Sequence, residues 1–201
     1  MNHATRISAT VVVCMSLPAI ALADSITFVV RDDGKSQATF VSDAPLETMH
    51  GKSSKVTGSV TVDPDDITKT RGSFEVPVTS LRTGNDLRDE HLRGDGWLDA
   101  KNSPKIYFEI TEVVLGKKAS KELAKNKDTK VRVKGTFTAH GVSRPATAEA
   151  TVHWSETALL VKAEFTVKLE DHQVSVPSIV RLKVANEIAV SVDLRGVPRQ
   201  P

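Results

Sequence analysis

From Asp24 onward, nearly every stretch of the chain alternates apolar and polar residues with a period of two. That is the spacing of a β-strand with one buried face and one wet face, because successive side chains of a strand leave on opposite sides. Val60 and Val62 mark it in Ser59 to Asp63, Phe74, Val76 and Val78 in Ser73 to Thr79, and Ile106, Phe108 and Ile110 in Lys105 to Thr111. Val131, Val133 and Phe137 alternate with Arg132, Lys134 and Thr136, while Ala146, Ala148, Ala150, Val152 and Trp154 alternate with Thr147, Glu149, Thr151 and His153. The runs Leu159 to Glu170, with Phe165, and Glu187 to Leu194, with Val190, complete the clear set. Weaker versions lie at Ile26 to Arg31, Gln37 to Val41 (with Phe40) and Val174 to Val184. Turn formers separate the runs at Asp32-Asp33-Gly34, Asp63-Pro64-Asp65-Asp66, His140-Gly141 and Glu156-Thr157, each suited to a tight reversal. Eight or more strands with no helical crossover between them predict an all-β antiparallel meander, closed as a barrel or packed as a sandwich. Pro77 cannot donate to a ladder, so its position is expected to be an edge, a bulge or a bend. The lysine-rich stretch Lys117 to Lys130 reads as a solvated hairpin loop.

The first residues read differently. A basic start ending at Arg6, an apolar run from Ile7 to Leu22 broken by Pro18, and the small-x-small end Ala21-Leu22-Ala23 form the pattern of a cleaved secretory signal. The expected division is a leader at 1–23 and one domain at 24–201, placing the mature protein in the periplasm of a Gram-negative host or outside the cell. The one cysteine, Cys14, falls inside that leader, so the mature chain is expected to hold no disulfide, no thiolate nucleophile and no cysteine metal ligand. With 27 Lys and Arg against 25 Asp and Glu, the net charge of +2 offers no electrostatic case for nucleic acid.

One segment, Thr83 to Arg93, breaks the alternation with helical spacing: Leu87 and His91 are four apart, as are Asp89 and Arg93. Thr83 followed by Asp86 resembles a capping box, Gly94 and Gly96 end the turn, and Trp97-Leu98 returns an apolar pair to the core. The segment also holds the densest ionisable cluster, Asp86, Arg88, Asp89 and His91. A carboxylate beside a histidine can do acid–base chemistry near neutral pH, and ion pairs on a short helix can equally hold it across a barrel mouth. The histidines of the mature chain, His50, His91, His140, His153 and His172, show no spacing that would place two metal ligands side by side, so no metal is expected. There is no GxSxG and no Gly-rich phosphate loop.

Thr83-Gly84-Asn85, Arg88-Asp89-Glu90-His91-Leu92, Trp97-Leu98-Asp99-Ala100 and Pro104-Lys105-Ile106-Tyr107-Phe108 stand in order, with Gly58-Ser59-Val60-Thr61-Val62-Asp63-Pro64 before them and Thr138-Ala139-His140-Gly141-Val142 after. Together these motifs resemble the YceI-like family of small exported lipocalin-like proteins. The resemblance implies an extended eight-stranded antiparallel lipocalin-like barrel with a short helical insertion near residues 84–93. It further implies a long apolar cavity holding a polyisoprenoid or isoprenoid quinone, with no required cofactor and no catalytic residue. On that reading the inward faces supply the cavity candidates Phe40, Phe74, Val76, Phe108, Ile110, Phe137, Trp154, Phe165 and Val190, although alternation alone suits a filled core equally. Thr83, Asp86, Arg88, Asp89, His91 and Trp97 become a motif of the cavity mouth or a structural one. Transient membrane contact for cargo exchange and a homodimer are compatible with this picture. Two other readings stay open: a stress-related periplasmic interaction module with a filled barrel, and a lipid-modifying activity at the Asp86–His91 cluster.

Overall fold

The alternating runs form ten strands in the computed structural model, which describes residues 25–117 and 119–200. The leader, its cleavage point and Cys14 lie outside the described residues. The strands are β1 (Ile26–Val30), β2 (Gln37–Ala44), β3 (Glu47–Ser53), β4 (Thr57–Val62), β5 (Arg71–Pro77), β6 (Lys105–Val114), β7 (Asp128–Ala139), β8 (Val142–Trp154), β9 (Leu159–Lys168) and β10 (Glu187–Pro198), with one helix, α1 (Asp86–Arg93), between β5 and β6.

Ten strands make eight tracks. β10 pairs with β1 through Phe28↔Pro198 to Val30↔Gly196 and, further along the same edge, with β2 through Gln37↔Asp193 to Ser42↔Ile188. β1 and β2 are therefore halves of one track, and β4 and β3, which pair with them in turn, are halves of the next. Asp32-Asp33-Gly34 is thus an offset inside a track rather than the hairpin reversal its composition suggests. The offset is held by Arg195 N–H donating to Ser36 Oγ at 3.0 Å and by Lys55 Nζ on Asp32 at 2.9 Å. All pairings are antiparallel, and the β1–β10 pairing closes the sheet into an eight-stranded barrel, leaving no sandwich.

Local chemistry explains where the tracks bend. At His140-Gly141 both residues have positive φ, 51° and 71°, as a two-residue hairpin turn requires. Pro77 ends β5 opposite Lys105, and the chain passes into a 3-10 turn at Val78–Ser80. In β6 the register with β7 shifts between Ile110 and Glu112, so Ile110 and Val113 are both buried although three positions apart. The outer wall is polar: Arg132 Nε meets Glu149 at 2.7 Å and Lys134 Nζ meets Glu112 at 2.9 Å. A barrel that crosses a bilayer carries the reverse pattern, apolar outside.

Two segments depart from their sequence reading. Val174 to Val184 is not a strand but a loop with a 3-10 turn at Ser178–Val180, and β9 and β2 already occupy both edges of β10 beside it. Lys117 to Lys130 is not wholly solvated. Leu123 within it is 1% exposed, and its N–H donates to Pro64 O at 2.7 Å, so this leucine stoppers one end of the barrel. There Phe28, Val60, Val62, Ile67, Val113, Val131 and Leu159 pack into a solid core. At the other end Val78, Leu81 and Leu98 pack with Leu92 and Ile106 under α1.

Candidate functional site: an apolar cavity under a helix

Between the stoppered end and α1 the barrel is hollow. The cavity has a volume of about 220 Å³. Such a void exceeds the roughly 150 Å³ that admits benzene to an engineered core. Along β10 its wall runs from Ile188 to Leu194, about 20 Å of strand at roughly 3.3 Å per residue. It is long for its volume, the proportion of a single chain rather than a compact ring system.

Side-chain size explains the hollow. Ala148, Ala150 and Ala163 face inward where the stoppered end has Phe28, Ile67 and Leu123. The large rings lean along the wall over glycines. A Cβ at Gly51 would fall 2.2 Å from the Phe40 ring, and one at Gly135 would fall 2.6 Å from the Phe108 ring. Phe165 fills the middle of an aromatic group, with ring centroids 5.5 Å from Phe108 and 5.4 Å from Phe137.

Phe40, Phe74, Val76, Phe108, Ile110, Phe137, Phe165 and Val190 all line this cavity, and Trp97 joins them from the loop after α1. Trp154 does not. It ends β8 at the stoppered end, packs against the solid core, and its buried Nε1 has no hydrogen-bond partner among the described residues. A period of two tells which face a residue takes but not its height along the barrel, and β8 at 13 residues is longer than the cavity. Pattern reasoning also missed Leu81 and His172, which reach the cavity from 3-10 turns, Leu92, which reaches it from α1, and Val184, which reaches it from the loop that reads as a weak strand.

The ionisable cluster on α1 separates in space. Asn85, not Thr83, caps the helix, its Oδ1 accepting from Arg88 N–H at 3.0 Å, so the Thr83–Asp86 capping box does not form. Thr83 instead donates from both N–H and Oγ1 to Asp89 Oδ1, each at 2.7 Å. Asp89 is 3% exposed. Burial pushes its pKa up, but the two Thr83 bonds and the charges of Arg82 and Arg93 outweigh burial and hold it below the ordinary carboxylate value. Arg88 reaches Glu47 at 2.6 Å and ties α1 to the β2–β3 turn. Asp86 and His91 face solvent while Asp89 turns inward to Thr83, so the carboxylate–histidine pair that acid–base work needs is not assembled. Among the described residues no three His, Cys, Asp or Glu side chains gather to hold a metal. At the stoppered end the Lys69 ammonium, 2.9 Å from Asp63, is the main cause of that buried carboxyl's lowered pKa, against burial that raises it.

Two further features sit at the α1 end. His172 lines the cavity from a 3-10 turn after β9. It donates from Nδ1 to Val142 O at 2.8 Å, and its own carbonyl accepts from His140 Nδ1 at 3.1 Å. Around the rim, Leu46, Leu87, Ile179 and Leu182 expose large apolar side chains, Ile179 to 89%. Their segments are joined by Leu46 N–H donating to Leu182 O at 2.8 Å and by the Arg88–Glu47 pair. Residues 174–186 carry Arg181 and Lys183 and no acidic residue.

Comparison with known proteins places this architecture. The chain is 27% identical over 138 residues to a UPF0312 protein of Vibrio parahaemolyticus, a match spanning 69% of this chain and 68% of that one. With a UPF0312 protein of Yersinia pestis it shares 27% over 133 residues, 63% of this chain and 64% of the other. The fold superimposes on Burkholderia cenocepacia BcnA with a TM-score of 0.70 at 21% identity, over 83% of this chain and 98% of that one. A polyisoprenoid binding domain of Saccharophagus degradans gives 0.67 at 18% identity, over 88% and 100% of the two chains. The YceI-like domain matches residues 30–195, nearly the whole barrel, and the chain accordingly belongs to the YceI-like family.

Proposed function

We propose that this protein is an exported carrier that holds a polyisoprenoid or isoprenoid-quinone-like amphiphile in the barrel. The observation that carries the reading is the long hollow lined by carbon, between a solid core at one end and α1 at the other. Affinity comes from desolvation. At about 0.8 kcal/mol for each buried methylene, a fifteen-carbon chain gains roughly 12 kcal/mol before the cost of ordering it. A narrow cavity favours a flexible chain over a broad ligand of equal area, and the related Saccharophagus degradans domain is a polyisoprenoid-binding one.

The leader pattern at 1–23 supports export, and the exposed apolar rim beside Arg181 and Lys183 supports transient contact with a bilayer for loading and release. Apolar side chains flanked by cations suit the interface of an anionic membrane. The test is a fluorescence titration of delipidated protein with farnesol. Trp97 lines the cavity and Trp154 does not, so saturable change in emission is expected from the parent protein and from Trp154→Phe, and not from Trp97→Phe. A parent protein whose emission and thermal stability ignore farnesol contradicts the reading.

A further inference from the structure

Almost the whole cavity wall is carbon, so the polar atoms that do reach it decide which head group is tolerated. Thr39 Oγ1 is bonded to Ser191 Oγ at 2.5 Å, and Ser42 Oγ accepts from Ala185 N–H at 2.9 Å. Tyr107, on the cavity wall, is 42% exposed and open to water. His172 is different: it is 3% exposed, lines the cavity, and has one ring nitrogen engaged and one without a partner among the described residues.

The engaged nitrogen defines the other. A carbonyl oxygen only accepts, so Nδ1, at 2.8 Å from Val142 O, carries the hydrogen. In the neutral ring that leaves Nε2 as a bare acceptor. The ring has little freedom to turn away. Phe137 meets it edge-on at 5.3 Å and 88°, and His140 grips the His172 carbonyl at 3.1 Å from the β7–β8 turn. Nε2 has no protein donor among the described residues, so a ligand hydroxyl can add a hydrogen bond there that an ether or a hydrocarbon cannot.

We propose that His172 Nε2 is the head-group acceptor of the cavity and selects isoprenoids whose head carries a hydroxyl, a prenyl alcohol or a prenylated phenol, over ethers and hydrocarbons with the same tail. The proposal rests on the carrier reading above and adds the chemistry of the head. The tail supplies affinity from the alanine-lined lumen, and the hydroxyl fixes which end of the ligand lies under the β9–β10 connection.

The experiment is calorimetric titration of delipidated protein with four probes: farnesol, farnesyl methyl ether, a farnesyl-substituted phenol and its methyl ether. The expected result is about tenfold tighter binding of a hydroxyl compound than of its own ether, about 1.4 kcal/mol. The pair that shows the preference identifies the head as alcohol or phenol. In His172→Phe, which keeps an aromatic edge for Phe137, the ratio falls to about one. Should that variant not fold, the wild-type ratios decide alone. Equal binding of hydroxyl compounds and ethers by the wild type overturns the acceptor role and leaves the carrier reading standing. Binding of none of the four overturns both.

Discussion

Replacing Ala163 by leucine separates a hollow barrel from a filled one by the sign of a stability change. Ala163 lies on the inner face of β9, directly opposite Ala150 of β8 and Val192 of β10, and borders the cavity. Leucine adds three carbons there. In a vacant apolar space each brings about 0.8 kcal/mol of burial, for a gain of up to about 2.4 kcal/mol. At about 2–4 °C per kcal/mol for a chain of this size, the melting temperature of delipidated protein rises by roughly 5–10 °C. The same side chain occupies space that cargo needs, so uptake of farnesol weakens by tenfold or more. In a filled barrel, extra carbons force side chains off their rotamers at about 1–3 kcal/mol, and the melting temperature falls. Thermal melts by circular dichroism, with a titration on the same sample, read both quantities. A lowered melting temperature with unchanged uptake would refute the reasoning.

Other substitutions test the remaining parts. Asp89→Asn removes the carboxylate that accepts two bonds from Thr83 and is expected to cost about 2 kcal/mol in denaturant unfolding. Because the folded pKa of Asp89 lies below its unfolded value, the stability it contributes is complete at neutral pH and is lost as pH falls below about 4 through the folded pKa. The variant therefore loses less stability than the parent between pH 5 and 3, while Asp63, also lowered, keeps part of the acid slope in both. Gly135→Ala places a methyl 2.4 Å from Glu109 O and 2.6 Å from the Phe108 ring. A backbone carbonyl in a ladder cannot yield, so a loss of about 1–3 kcal/mol is expected, and an unchanged melt contradicts the packing described. Ile179→Asp with Leu182→Asp, both on the exposed rim, leaves stability within about 0.5 kcal/mol yet slows transfer of farnesol to phosphatidylglycerol vesicles by at least about tenfold. Undiminished transfer removes the rim from the exchange step.

How much was legible in the chain follows from what each signal encodes. Period two encodes the face of a strand, and it placed Phe108, Phe137, Phe165 and Val190 on the inner wall, where they are. It is blind to height, so Trp154 shared their face and not their cavity. Turn composition encodes a change of direction but not its size: Asp32-Asp33-Gly34 steps sideways within a track, while His140-Gly141 reverses it. Charge averaging over Lys117 to Lys130 concealed Leu123, the one residue there that matters most to closure. In the sequence His172 is only a histidine with no metal-ligand spacing. Its position depends on a 3-10 turn latched to another hairpin by His140, a contact between residues 32 apart in sequence. The helix at Asp86–Arg93 was legible from its spacing, whereas the partners of its charged side chains depended on Glu47 and Thr83 and became visible only in three dimensions.

The most direct test of the central claim is native mass spectrometry of the protein exported in a bacterial host and purified without detergent. The account predicts a population heavier than the bare chain by the mass of one isoprenoid lipid, released on extraction with organic solvent. A bare mass that stays bare after incubation with farnesol and longer polyprenols would contradict it.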